Sequence, residues 1–448
     1  MSLSSMIRPH AVAALALLLA VAASSNAQST KVLYSFQGPP TDGAAPAAGL
    51  ISDRAGNLYG TTQYGGNGTC TSSTYPAGCG TVFKLSPPAS KGGPWVETIL
   101  HHFQGGADGA YPLAALIFDK AGNLYGEAAL GGSSGFGTVF KLTRTTSKNS
   151  AWTQTILYNF LGSPVDGSLP QGGLIFDATG NLFGTTREGG AGANDDGCGT
   201  AFELSPPATS GGTWAEAVLY TFTGNTKVGG YNGCWPITGV ILDQKGNVYG
   251  TTLTGGTGFN YPLSLGIIFQ LAPPTNPGDP WTESVLYNFG GGGSSGLIMD
   301  GKGSLYGSEG GGGRNLCDPS KGTLCGDVFQ LVPPAQISGT WTYNDIYDFQ
   351  LANNSNLPIG NLISGRMGTL VGATINSVYK LVPPSSQSGQ WTETVFQAFT
   401  PSTDGARAAG VIFDPAHLGF FGTTSNGGPG TCTGNWGPGC GTVYQVVP

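Results

Sequence analysis

Charge is scarce in this chain, and histidine is scarcer still. Of 448 residues, 18 are Lys or Arg, 25 are Asp or Glu and four are His. No basic run occurs, which argues against nucleic acid as a partner. No basic amphipathic stretch suggests a membrane surface either. Helical periodicity is missing beyond the N-terminus, so a helical fold is not expected. No Ser-His-Asp order and no His-rich metal word is visible. His101 and His102 share one strand-like segment and His417 lies far away in sequence. Histidine-based catalysis and a zinc centre are therefore not expected. A carboxylate pair needs no motif, so hydrolysis of carbohydrate by rim carboxylates stays open as the enzymatic alternative.

What the chain does have begins at its N-terminus. Arg8 precedes the apolar run AVAALALLLAVAA, which ends in SSNAQ. Small residues at Ser25 and Ala27 mark a signal-peptidase site, so residues 1–27 read as a signal peptide with cleavage after Ala27. An uncleaved anchor is the rival, although the run is short for a bilayer. No later segment resembles a membrane-spanning helix. The formal charge is −7. There are eight cysteines, and after a signal peptide an even count implies disulfides in an oxidising compartment. Cys70 with Cys79, Cys317 with Cys325 and Cys432 with Cys440 form three local pairs, which leaves Cys198 for Cys234.

Glycine is abundant, at 77 residues, and it punctuates a repeat. GNLYGTT at Gly56 returns as GNLYGEA, GNLFGTT and GNVYGTT, then more loosely as GSLYGSE, GTLVGAT and LGFFGTT. The repeated glycines are Gly60, Gly126, Gly184, Gly250, Gly307, Gly372 and Gly422. Around each lie four strand-like segments resembling GLIFD, NLYGTT, GTVFKL and WTETVLYNF. They are short, β-branched and aromatic, and bounded by Gly, Pro, Asn and Asp. The expected fold is all-β: a seven-bladed propeller of four-stranded antiparallel blades. Its repeats run near 37–103, 104–160, 161–222, 223–289, 290–349, 350–399 and 400–448, within one domain spanning 28–448. Six Trp (95, 152, 214, 281, 341 and 391) open the fourth strand, and the last repeat lacks that strand. KVLYSF, residues 31–36, is the missing piece, so the N-terminal strand should complete the last blade and close the ring.

By these words the chain resembles the GloVer tandem-repeat family of secreted bacterial proteins, often described as choice-of-anchor. The resemblance covers essentially the whole mature chain and carries no catalytic motif. It implies a secreted or periplasmic protein. Many members end in a sorting signal with a hydrophobic tail, whereas this chain ends at Val447–Pro448, which favours a freely secreted or periplasmic form over surface anchoring.

Chemistry should sit on the face that carries the loops between strands two and three and the loops entering each blade. That face holds the cysteines. It also holds an acidic word, with Asp42, Asp108, Asp166 and Asp404 followed by Gly. The same word is turn chemistry; as a site it would offer a polar or calcium-binding rim. Calcium is the one cofactor the pattern leaves open. Trp235, Trp436 and Tyr75 lie beside cysteines and outside the repeat pattern, where fixed rings can form a platform for a sugar or peptide. The expected function is a monomeric binding module for an extracellular polysaccharide, peptide or surface protein. A structural envelope protein is the remaining alternative.

Overall fold

The computed structural model describes residues 29–447 apart from short segments at 72–75, 146–150, 191–196, 210, 227–229, 258–264, 292–294, 319, 321, 337–338, 351–356, 387–388, 415–418 and 434–437. Seven antiparallel sheets follow one another along the chain. Blade one is Ile51–Ser52, Leu58–Thr62, Thr81–Ser86 and Val96–His102, hydrogen-bonded in that order. The other blades repeat this order. Blade seven is closed as the sequence predicts: Ser29–Ser35 pairs with Thr442–Val447 and forms its outer strand.

The repeated glycine has a steric cause. Gly60 lies under the ring of Phe83, and a Cβ there would stand 2.7 Å from Phe83 Cζ and 2.9 Å from Leu50 Cδ2. Any side chain at this position would push the third-strand ring out of its seat. That ring then meets an outer-strand Phe of the preceding blade. The pairs are Phe36–Phe83, Phe103–Phe140, Phe160–Phe202, Phe222–Phe269, Phe289–Phe329, Phe349–Tyr379 and Phe399–Tyr444, with centroids 4.9–5.6 Å apart. Every blade junction is thus built on one tilted or edge-on aromatic pair, a geometry that suits the ring quadrupoles. The second strands, such as Leu58–Thr62, are buried throughout because a blade covers each face.

The aspartates after the inner strands are turn residues, as expected. Asp53 accepts bonds from Ala55 N, Asn57 N, Asn57 Nδ2 and Tyr59 OH at 2.7–3.0 Å. Asp119 and Asp243 hold their hairpins in the same way. The four disulfides are those predicted: Cys70–Cys79, Cys198–Cys234, Cys317–Cys325 and Cys432–Cys440. Three close a loop within one blade, and Cys198–Cys234 ties blade three to the entry of blade four. No described helix is long and apolar enough to cross a membrane.

Candidate functional site

The inner strands surround a channel of about 760 Å³. Its wall is mixed, with Leu113, Ile237 and Ile359 contributed by different blades, and Gln171 and Asn361 among the polar residues. Arg407 is the charged side chain that reaches it.

Two residues before the channel-lining Ala47, Leu113, Gln171, Ile237 and Ile359, and at the lining residue Arg407, the backbone repeats an uncommon conformation. Ala45, Tyr111, Leu169, Trp235, Leu357 and Arg407 have φ between 51° and 60°. The left-handed region is unfavourable for residues other than Gly, Asn or Asp, and it costs of order 1–3 kcal/mol where it is imposed. Each N–H is held by the preceding blade: Ala45 by Cys440 O, Tyr111 by Cys79 O, Leu169 by Phe136 O, Trp235 by Cys198 O, Leu357 by Cys325 O and Arg407 by Ile375 O, at 2.7–3.0 Å. Four of these six acceptors are disulfide cysteines. The cross-links therefore fix the carbonyls that hold the strained residues.

The backbone at these positions is alike, and the side chains are not. Tyr111 meets Tyr64 edge-on at 5.5 Å. Arg187 lies over the Trp235 ring at 5.2 Å and contacts Glu188 at 3.6 Å. Trp235 is thus not outside the repeat pattern, as its sequence setting suggested. The word NGCWP aligns with DGAAP, DGAYP and DGSLP, and places Trp235 at the same position as Ala45, Tyr111 and Leu169. That spacing, Asp or Asn–Gly–x–X–Pro, was the signal that could have found the ring. Tyr75, Trp436 and His417 lie outside the described residues.

The four aspartates do not converge on one rim site. Each is spent on its own entry loop. Asp42 accepts from Gln37 N at 2.7 Å, Gly43 N at 2.5 Å and Tyr34 OH at 2.9 Å. Asp166 accepts from Gly167 N, from Leu161 N at 3.3 Å and from Tyr158 OH at 2.7 Å. Both residues are at most 5% exposed. Asp108 takes Gln104 N and contacts His101 Nε2 at 3.0 Å. Asp404 takes Thr400 N at 3.2 Å and Gln397 Nε2 at 3.3 Å. The cause is the turn itself, whose inward N–H groups need an acceptor. Among the described residues no group of three or more His, Cys, Asp or Glu side chains is arranged to hold a metal ion.

One buried carboxyl was not foreseen. Second-strand threonines reach the next blade, with Thr61 Oγ1 donating to Ala114 O and Thr185 Oγ1 to Thr238 O, both at 3.0 Å. Blade two has Glu127 at this position. Its Oε2 accepts from Gly173 N at 2.9 Å, Oε1 has no partner, and burial pushes the carboxyl up to about 8. Glu127 is therefore largely neutral at pH 7.

Comparison with known proteins supports the architecture. The profile of the Gloeobacter/Verrucomicrobia repeat matches residues 68–315. No curated protein matches in sequence. Among solved structures, the extracellular domain of a protein described as a one-component system of B. thetaiotaomicron is similar at 13% identity and a TM-score of 0.50, over 94% of this chain and 42% of that one. PorZ, a surface component of the type-IX secretion system of Porphyromonas gingivalis, is similar at 12% identity and a TM-score of 0.47, over 83% of this chain and 44% of that one. A protein of unknown function from Dyadobacter fermentans is similar at 11% identity and a TM-score of 0.42, over 93% of this chain and 97% of that one. The chain thus spans less than half the length of the first two.

Proposed function

The chain belongs to the Gloeobacter/Verrucomicrobia repeat family, and on that premise we propose that it is a secreted or periplasmic interaction module whose ligand enters at the upper mouth of the propeller channel. The observation that carries this reading is the set of six left-handed non-glycine residues in the blade-entry loops, of which Ala45 and Arg407 line the channel. Strain repeated at equivalent positions, with unlike side chains, is what a scaffold invests at a recognition surface rather than in its core. Tyr and Trp offer broad contact at low entropic cost, and Arg187 and Arg407 add charge for an oxygen-rich partner. A polysaccharide or an extended peptide fits these groups. Trp436 and Tyr75, which fall between paired cysteines in the sequence, are proposed as further contact rings. Four disulfides support an oxidising compartment.

A glycan and peptide screen on the mature protein tests the reading. For any ligand found, Trp235→Ala and Tyr111→Ala are expected to weaken binding by roughly 1–3 kcal/mol each, the range for major contact residues. Asp177→Ala, in a hairpin at the opposite end of an inner strand, should leave affinity unchanged. A folded Trp235→Ala variant with full affinity, together with a loss at Asp177, would move the site to the lower face.

A further inference from the structure

Several blade junctions carry a second repeated device, and two of them are one proton short. At several junctions three positions meet: the last tyrosine-like residue of an outer strand, the polar residue of the loop that follows, and the residue two places after Trp in the next outer strand. Between blades seven and one these are Tyr34, Asp42 and Glu97. Tyr34 OH stands 2.9 Å from Asp42 Oδ2 and 3.1 Å from Glu97 Oε2. A phenol has one hydrogen, so it can serve only one of the two carboxylates. Asp42 already accepts from two backbone N–H groups, which favours its anionic form. Glu97 Oε1 is buried without a partner. Between blades two and three, Tyr158 OH donates to Asp166 Oδ2 at 2.7 Å, Glu216 lies beside Asp166, and Glu216 Oε1 is likewise buried and unpartnered.

The junction between blades three and four differs in its loop residue. There the loop residue is Asn232. Its Nδ2 donates to Tyr220 OH at 2.6 Å, and Tyr220 OH donates to Glu283 Oε2 at 2.9 Å. The amide hydrogen leaves the Tyr220 hydrogen for Glu283 Oε2, while Glu283 Oε1 is buried without a partner, as in Glu97 and Glu216. At the two aspartate junctions no amide is present, and the missing hydrogen has to come from the glutamic acid. Where the loop Asp lacks a tyrosine partner, the third position is neutral: Gln154 beside Asp108, and Thr30 on Gln397 near Asp404.

We propose that Glu97 and Glu216 are protonated in the folded protein at neutral pH, and that these two shared protons lock the loops that lead into the channel mouth at Ala45 and Leu169. Asp42 and Tyr34 are the titratable groups facing Glu97, and Asp166 and Tyr158 those facing Glu216. Burial first, and then the neighbouring aspartate, pushes each glutamate up to about 8. A carboxyl raised in the folded state contributes stability that is full below its ordinary range and is lost as pH climbs to about 8. Deprotonation then places two carboxylates in contact, and the entry loops at 37–43 and 161–167 are released. The device is independent of the ligand reading, since it concerns the free protein.

The experiment is infrared or carbon-13 NMR titration of the full mature chain, paired with melting curves from pH 5 to pH 9. Carboxylic-acid signals should persist at pH 7, disappear above pH 8, and be reduced in Glu97→Gln and Glu216→Gln. Each of these variants should also flatten the fall of Tm with pH, by roughly 2–4 °C. Asn232→Asp should create a third proton-holding pair and steepen that fall. Hydrogen exchange in the two entry loops should accelerate above pH 8 beyond its intrinsic rate in the wild type and not in the double Gln variant. Absence of protonated-carboxyl signals assignable to Glu97 and Glu216 at pH 7 would overturn the proposal, as would wild-type pH slopes in folded Gln variants.

Discussion

Deleting Lys31–Phe36 will turn a closed ring into an open one, and the protein will lose its cooperative melt and aggregate. These residues are the outer strand of blade seven, with Lys31 opposite Gln445, Val32 opposite Tyr444 and Phe36 N bonded to Gly441 O at 3.0 Å. Their loss exposes the edge of Thr442–Val447, a template for pairing between molecules. It also removes two contacts that hold blade seven to blade one. Phe36 is fully buried with its ring 5.1 Å from Phe83. Tyr34 belongs to the clamp with Asp42 and Glu97. Emptying the Phe36 site alone, in Phe36→Ala, should cost about 3–5 kcal/mol. That is a large part of the 5–15 kcal/mol typical of a whole domain. Circular dichroism melts and light scattering decide the matter. A deletion variant as soluble and as stable as the parent would mean that blade seven is complete without this strand.

Among the disulfides, Cys198–Cys234 will be the costliest to remove. It closes 36 residues, against eight or nine for the others. In the chain-entropy treatment that difference is ~4 against ~2.5 kcal/mol at 25 °C. Geometry points the same way. Both half-cystines are at most 5% exposed, and Cys198 supplies the carbonyl that holds Trp235 N. The double variant Cys198→Ala/Cys234→Ala should therefore melt lower than Cys70→Ala/Cys79→Ala and should change Trp235 fluorescence. Equal melting losses, with the emission unchanged, would show that the hydrogen-bonded frame alone secures the junction between blades three and four.

The strands, the number of blades, the closure through the N-terminal strand and the pairing of all eight cysteines were legible in the chain. Each is written in local words: a Gly that must lie under a ring, an Asp four residues before the residue whose N–H it binds, a Trp at the start of every outer strand but one. Local chemistry and a fixed period suffice for such features, because each blade buries the same faces against its neighbours. What only the tertiary structure decided lies across the junctions. The word NGCWP aligns Trp235 with Tyr111 and Leu169, but the left-handed conformation these positions share is set by the carbonyl of the preceding blade that each N–H meets. The loop aspartates were consumed by their own turns instead of converging on the rim. Asp42 met Glu97, 55 positions away, and Asp166 met Glu216, 50 away, so no window of sequence displays the pair. Between blades four and five the clamp gave way to Tyr287 and Tyr343 stacked at 4.0 Å; the sequence shows Tyr343 in place of the glutamate, and only the structure shows what it meets. The repeat specifies how a blade is made; which side chains face each other between blades follows from how one twisted sheet packs on the next.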